Sequence, residues 1–263
     1  MKGEKRFLVD VGIKDLPFPV KAISRANPDG QPTVALISIS ARIMSEFEPS
    51  WIDKFIRIVH RHRDTIGPAS LKKNIMDYLK ELKATRIVAG FDYPVFVEKI
   101  TPVSKEKCLV RYQCRFEAKV TSVEEIPSIL FKIDIPIITT YPVSHTEKPG
   151  GLFGQISVIT LEIEPKKDIY PEDLVELVDG CALAPVYSFL TEEDQVYIIK
   201  KIHSETKSSV VTTDEIKSAL VRNKNIEWYS VHCTNFGMLH SYSTVIGTEK
   251  SSWVPYSTQE DEE

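Results

Sequence analysis

The chain has 263 residues, 33 Lys and Arg against 37 Asp and Glu, a net charge of −4, and 42% hydrophobic residues. These proportions exclude a collagen-like chain, a disulfide scaffold and a wholly disordered chain, and the lack of a basic excess argues against nucleic-acid binding through bulk charge. The 4 cysteines form no CxxC pair, no apolar run reaches a membrane span, and the start MKGEKRFLVD has no apolar signal core; a cytoplasmic, soluble protein without a membrane partner is expected.

The first apolar segment is Val9–Val20, whose Pro17 and Pro19 confine it to a sheet edge with an irregular turn. Asn27–Pro32 (NPDGQP) is a turn. Thr33–Phe47 alternates apolar and polar residues, which predicts a long strand. Ser50 suits an N-cap, Trp51, Ile52, Phe55, Ile56 and Val59 recur at helical spacing, and Gly67-Pro68 closes that helix. A second helix is expected over Ala69–Leu82, with Leu71, Ile75, Tyr78, Leu79 and Leu82 as one stripe. Arg86–Val97 and Lys107–Thr121 read as strands.

The second half repeats the programme. Ile129–Thr140 is a strand, Tyr141–Gly154 (YPVSHTEKPGGLFG) a Pro/Gly-rich loop, and Gln155–Glu164 an alternating strand. Helices are expected over Pro171–Asp179, Glu192–His203 and Thr213–Asn223, then a closing hairpin of Asn225–Cys233 and Met238–Ile246. The fold class is α+β: two units of ββααββ type, residues 1–125 and 126–250, with antiparallel sheets and helices on one face. A frayed acidic tail, 251–263, follows. Such units leave open sheet edges, which pairing between subunits would remove, so a homo-oligomer is expected.

Four segments then recur in a recognisable order: VGIKDLPFPV from Val11, TPVSK at Thr101–Lys105, APVYSFL at Ala184–Leu190 and NFGMLHSYS at Asn235–Ser243. With them the chain resembles GTP cyclohydrolase type IB, tunnelling-fold enzymes that open the guanine ring of GTP to make dihydroneopterin triphosphate. The resemblance runs from about Val9 to Ile246. It implies a tandem tunnelling fold, tetramers with sites at subunit interfaces, and a purine or pterin ligand.

The resemblance also shows departures. Where the family carries Cys-Pro-Cys-Ser, supplying a metal-binding and a catalytic thiol, this chain reads Tyr141-Pro142-Val143-Ser144. Phe153 takes the place of a metal-ligating histidine, Gln195 that of the metal-associated glutamate (the pair reads Asp194-Gln195), and Val210 that of the guanine-anchoring glutamate. One family histidine remains, His240, followed by Tyr242 where a second often stands. A divalent metal activates water by lowering its pKa, and its capture needs about three converging thiolate, imidazole or carboxylate ligands. Tyr141, Val143, Phe153 and Gln195 do not supply them.

The candidates that remain each have an ordinary reading. His240 is the candidate general acid or base, since imidazole is the side chain that titrates near neutral pH; it serves equally well as a hydrogen-bonded structural residue. Lys14 and Tyr242 are candidate substrate contacts, and Lys14 and Asp15 also suit a simple edge strand. His145 and Glu147 are candidates for a relocated metal site with His240, although a polar surface loop explains them as well. Glu192, Glu193 and Asp194 suit a helix start. His232 and Cys233, being adjacent on a strand, point to opposite faces. Cys181 would be activated at a helix N-terminus and inert in a packed site. The expected cofactor is none, with a divalent metal only at a rebuilt site. The leading expectation is a homologue without its metal centre that binds a purine or pterin or acts as a scaffold. The alternatives are a metal-independent enzyme on such a heterocycle, as urate oxidase illustrates for tunnelling folds, and an active GTP cyclohydrolase with relocated ligands.

Overall fold

Alternation of apolar and polar residues carries more of the chain into strands than into helices. The computed structural model describes residues 8–43, 50–64, 68–122, 126–148, 150–237 and 239–251. Its first half contains β1 (Val9–Ala22), β2 (Gln31–Ile43), α1 (Ser50–His62), α2 (Pro68–Glu81), β3 (Arg86–Ile100) and β4 (Lys107–Thr121). The second contains β5 (Ser128–Thr140), β6 (Gly154–Pro165), α3 (Pro171–Cys181), β7 (Ala184–Pro185), α4 (Glu192–Ser204), α5 (Ser209–Arg222), β8 (Ile226–Phe236) and β9 (Thr244–Glu249). The expected end of the second strand at Phe47, the helix stop at Gly67 and the tail beyond Ser251 lie outside the described residues.

All strands join one antiparallel sheet in the order β1-β2-β3-β4-β5-β6-β8-β9, with the short β7 beside β5. The edge strand β1 is irregular as its prolines imply: its register on β2 shifts between Ile13 and Leu16, where Asp15 takes φ 53°. Two boundaries differ from expectation by four residues or more. The second half carries its three expected helices and, in addition, β7, so it departs from a strict ββααββ unit. The start of α5 is Ser209, because Ser208 caps it by accepting from the Val211 N–H at 3.3 Å. The last strand starts at Thr244, six residues later than Met238, which leaves 237 and 239–243 as loop.

One sheet face is apolar and covered by helices. At the join between the two halves, Tyr93, Phe116 and Phe131 stack across β3, β4 and β5 with centroids 6.2 and 4.4 Å apart. Burying each ring contributes about 1.5–3 kcal/mol. The opposite face mixes charged side chains with exposed apolar ones such as Leu36, Leu109 and Ile156, and holds two adjoining grooves of about 390 and 410 Å3. Its charges are largely paired, as in Lys132–Glu162 at 3.0 Å and Arg115–Glu117 at 3.2 Å.

Polar contacts tie loops of the first half to helices of the second. The buried Glu172 carboxylate accepts from the N–H groups of Arg25 (3.3 Å) and Ala26 (3.1 Å), while the Arg25 guanidinium pairs with Asp173 and Glu176. Lys99 of β3 pairs with Asp179 of α3 at 2.6 Å. Asp194 of α4 grips the β3–β4 turn at Val103 and Ser104. Among the described residues, no helix is long and apolar enough to cross a membrane.

Candidate functional site

Strand register lines up a row of polar side chains at one end of the sheet. Thr139 pairs with Gln155 across β5 and β6, Ser157 with Asn235 across β6 and β8, and Asn235 with Thr244 across β8 and β9. Thr139, Gln155, Ser157 and Asn235 stand on the helix-covered face and are buried. Polar groups so placed need partners, and they find one another. Thr139 Oγ1 and Ser157 Oγ are 2.8 Å apart, and Ser157 Oγ donates to Asn235 Oδ1 at 2.8 Å. Asn235 Nδ2 donates to Ser209 Oγ at 3.1 Å and to Thr244 Oγ1 at 3.3 Å. Thr140 brings the start of α5 here: its N–H donates to Lys207 O at 2.8 Å, and its Oγ1 accepts from the Lys207 N–H at 2.7 Å. The buried Cys233 thiol also reaches Asn235 Oδ1, at 3.5 Å. Burial, offset in part by hydrogen bonds with Ser157 and Thr213, pushes that thiol up to about 11, so it remains protonated at neutral pH.

The loop after β5 folds over this row. Tyr141 N–H donates to Phe153 O at 3.0 Å, and Ser144 closes a turn by donating from Oγ to Tyr141 O at 2.7 Å. The Tyr141 and Phe153 rings stack at 5.0 Å, 21° from parallel. Tyr141 is buried, and Val143 is exposed at the rim. On the other side, in the loop between β8 and β9, His240 and Tyr242 stack at 5.0 Å, 15° from parallel. Between the two stacks lies a cavity of about 150 Å3, with Gln155, Asn235 and Thr244 in its wall. A cavity of this size takes a single ring-sized group.

Four residues singled out in the sequence thus meet at one place: Tyr141, Val143, His240 and Tyr242 line the cavity, with Phe153 stacked behind Tyr141. His240 and Tyr242 stand on a loop and not on the strand expected there, because β8 ends at Phe236 and β9 begins only at Thr244. Gln195 lies apart, exposed on the first turn of α4 with its Nε2 donating to Leu190 O at 3.3 Å. Lys14, on β1, lines the groove on the opposite sheet face. His145 and Glu147 are exposed in the loop, joined only by a long contact of 3.4 Å from the Glu147 N–H to His145 Nδ1. Val210 is exposed on the first turn of α5. Cys181 closes α3 at its C-terminal end, opposite to the end that activates a thiol, and burial pushes its pKa up. His232 is exposed and Cys233 buried, as their alternation requires.

Asp194 does what an acid at a helix start does, capping α4 with Thr191. The buried row itself was missed in the sequence. Its signal was present: Thr139, Gln155, Ser157 and Asn235 are polar residues at the inward positions of otherwise apolar alternating strands.

The donors lining the cavity are phenol, imidazole, carboxamide and hydroxyl, with no thiol or carboxylate among them. Among the described residues, no group of three or more His, Cys, Asp or Glu side chains could hold a metal ion. The residues here therefore do not fit a divalent-metal site of the kind that the resemblance implies.

A family model described as Type I GTP cyclohydrolase folE2 matches residues 4–245. Among curated proteins, GTP cyclohydrolase FolE2 of Citrifermentans bemidjiense is 27% identical over 241 residues, covering 92% of this chain and 89% of the relative. The protein of the same name from Geotalea uraniireducens is 29% identical over 240 residues, covering 91% of this chain and 87% of the relative. Two solved structures share the fold at low identity. Urate oxidase of Bacillus sp. TB-90 has a TM-score of 0.54 and 9% identity, covering 93% of this chain and 99% of that one. Uricase of Arthrobacter globiformis also has a TM-score of 0.54, with 7% identity, covering 96% of this chain and 97% of that one. The tunnelling fold expected from the sequence is the fold observed.

Proposed function

Because the chain belongs to the type I GTP cyclohydrolase folE2 family, we propose that it takes GTP, or a purine nucleotide of the same shape, with the base in the cavity between Tyr141 and Tyr242. The observation that carries this reading is the family match over residues 4–245, which spans every residue lining that cavity. The cavity suits the assignment. Two aromatic stacks offer flat walls for a heterocycle, and about 150 Å3 accepts a ring while leaving ribose and triphosphate outside. Ring opening, the activity in the relatives' names, is the first reading, with His240 at the rim as the group that moves a proton.

A second reading, binding without ring opening, is favoured by one specific observation. Tyr141, Val143 and Phe153 occupy the end of the site where the resemblance places thiols and an imidazole. The reading also includes self-assembly, as a tetramer: β1 and β9 are the two ends of the sheet, and pairing them between copies would leave no open ladder.

One experiment separates these outcomes. The protein is incubated with GTP and Zn, Fe or Mn salts, pterin fluorescence is read after oxidation, and melting curves are recorded in parallel. A stabilisation by GTP is expected, since a ligand that binds only the native state raises its melting temperature. Pterin product supports ring opening, and stabilisation without product supports the second reading. A protein that gives neither product nor stabilisation would overturn the GTP assignment. Removing one stacking face in Tyr242→Ala is expected to weaken GTP roughly tenfold or more, the effect of losing an aromatic–base stack, and leave the unliganded melt unchanged because Tyr242 is exposed.

A further inference from the structure

We propose that Gln155 reads the edge of the ring that enters the cavity, and that this ring presents an N–H donor beside a carbonyl acceptor, as a guanine or hypoxanthine lactam does. The inference rests on the purine assignment above. Gln155 lines the cavity and is 4% exposed, yet its side chain has a single hydrogen bond among the described residues, from Nε2 to Thr139 Oγ1 at 3.3 Å. Asn235 beside it is used up: Oδ1 accepts from Ser157 and Cys233, and Nδ2 donates to Ser209 and Thr244. Of the two amides lining the cavity, Gln155 is thus the one with capacity to spare.

The row of hydroxyls also settles which way that amide points. Ser157 spends its proton on Asn235 Oδ1, so Thr139 must donate to Ser157 Oγ. A Thr139 hydroxyl so committed can only accept from Gln155, which turns Nε2 toward Thr139. The Oε1 acceptor and the second Nε2–H donor remain for the cavity. Set side by side, they match a ring N–H next to a C=O. An adenine edge offers its donor and acceptor in the reverse order, so with the sugar leaving by the same mouth it would set donor against donor. Two neutral hydrogen bonds in a desolvated site discriminate strongly, because the rejected ring leaves both partners unpaired.

The test compares GTP, ITP and ATP by titration against the wild type, Gln155→Met and Gln155→Glu, with unliganded melts of each. Wild type is expected to bind GTP and ITP alike and ATP far more weakly. Gln155→Met, similar in volume but without either polar group, should weaken GTP and ITP together by roughly tenfold to a hundredfold. Gln155→Glu offers two acceptors, which suit the guanine N1–H and 2-amino pair, so GTP should be retained over ITP, which lacks the amino group. This second variant keeps the test informative should the first fail to fold. GTP binding that neither variant alters would overturn the role of Gln155 while the purine assignment stands. A wild type that stabilises with none of the three nucleotides would overturn both.

Discussion

Replacing Asp194 with alanine is expected to lower the melting temperature by roughly 5–10 °C, the scale of losing a buried, multiply bonded carboxylate in a chain of this size. Asp194 is 0% exposed and accepts five hydrogen bonds. Two come from the backbone N–H groups of Val103 (2.8 Å) and Ser104 (3.0 Å), and a third from Ser104 Oγ at 2.6 Å. The others come from the N–H and Oγ1 of Thr191, at 3.1 and 2.7 Å. One side chain thus starts α4 and fastens the β3–β4 turn to it. Burial alone would push this carboxyl up, but the bonds from Ser104, Thr191 and Val103 prevail and hold it well below the usual carboxylate range. Its folded pKa lies below its unfolded one, so its stabilisation is present above the ordinary carboxylate pKa and is lost as pH falls through the depressed value. Wild type should therefore lose stability steeply in acid, and Asp194→Ala should show a flatter acid limb. Asp194→Asn keeps the shape but turns an NH2 toward groups that are themselves donors, so it should recover little. Thermal melts between about pH 2 and 7 check each of these; an alanine variant with the wild-type acid limb would refute the assignment.

Much of the fold was legible because alternation is a local property. The strands from β2 to β6 were readable from their own apolar positions, and the irregular edge strand from Pro17 and Pro19, whereas β7 and the start of β9 were not. The candidate site was legible only in part. The resemblance pointed to Tyr141, Val143, Phe153, His240 and Tyr242, all of which gather at the cavity. Gln155 and Asn235 escaped, because alternation says which face a residue takes and not which residue stands opposite. Any shift of strand pairing by two residues keeps every apolar side chain inside, so register decides whether Thr139, Ser157 and Asn235 meet, and register is a tertiary property. The start of α5 shows the other limit. Val210, Val211, Thr212 and Thr213 are β-branched and disfavour a helix, yet the buried Thr212, Thr213, Ile216 and Leu220 repay the first turn through packing.

The largest single loss is expected from Lys99→Met, at about 3–5 kcal/mol, the cost of leaving one member of a buried ion pair alone. Lys99 is 7% exposed on its side chain and pairs with Asp179 at 2.6 Å. Its ammonium also donates to Val186 O at 3.3 Å and lies over the rings of Tyr112 and Tyr187, at 5.5 and 5.6 Å. Around Asp179 there is little else to offset the charge. Among the described residues, its Oδ1 and the Tyr112 hydroxyl are both buried without a hydrogen-bond partner, and burial pushes the Tyr112 phenol upward. Asp179 is itself pushed above the usual carboxylate range by burial, with Lys99 pulling it back. Its linkage runs opposite to that of Asp194: with the folded pKa above the unfolded one, the neutral acid is favoured in the native state, and stability is lost as pH rises through the raised value. Removing Lys99 raises that value further. The loss in Lys99→Met should accordingly be larger at pH about 7 than at pH about 4, by denaturant unfolding. The double variant Lys99→Met with Asp179→Leu should recover most of it, because no charge is then left buried. Equal losses at both pH values, or no recovery in the double variant, would mean that Lys99 acts through packing against Tyr112 and Tyr187 and not as the counter-ion of Asp179.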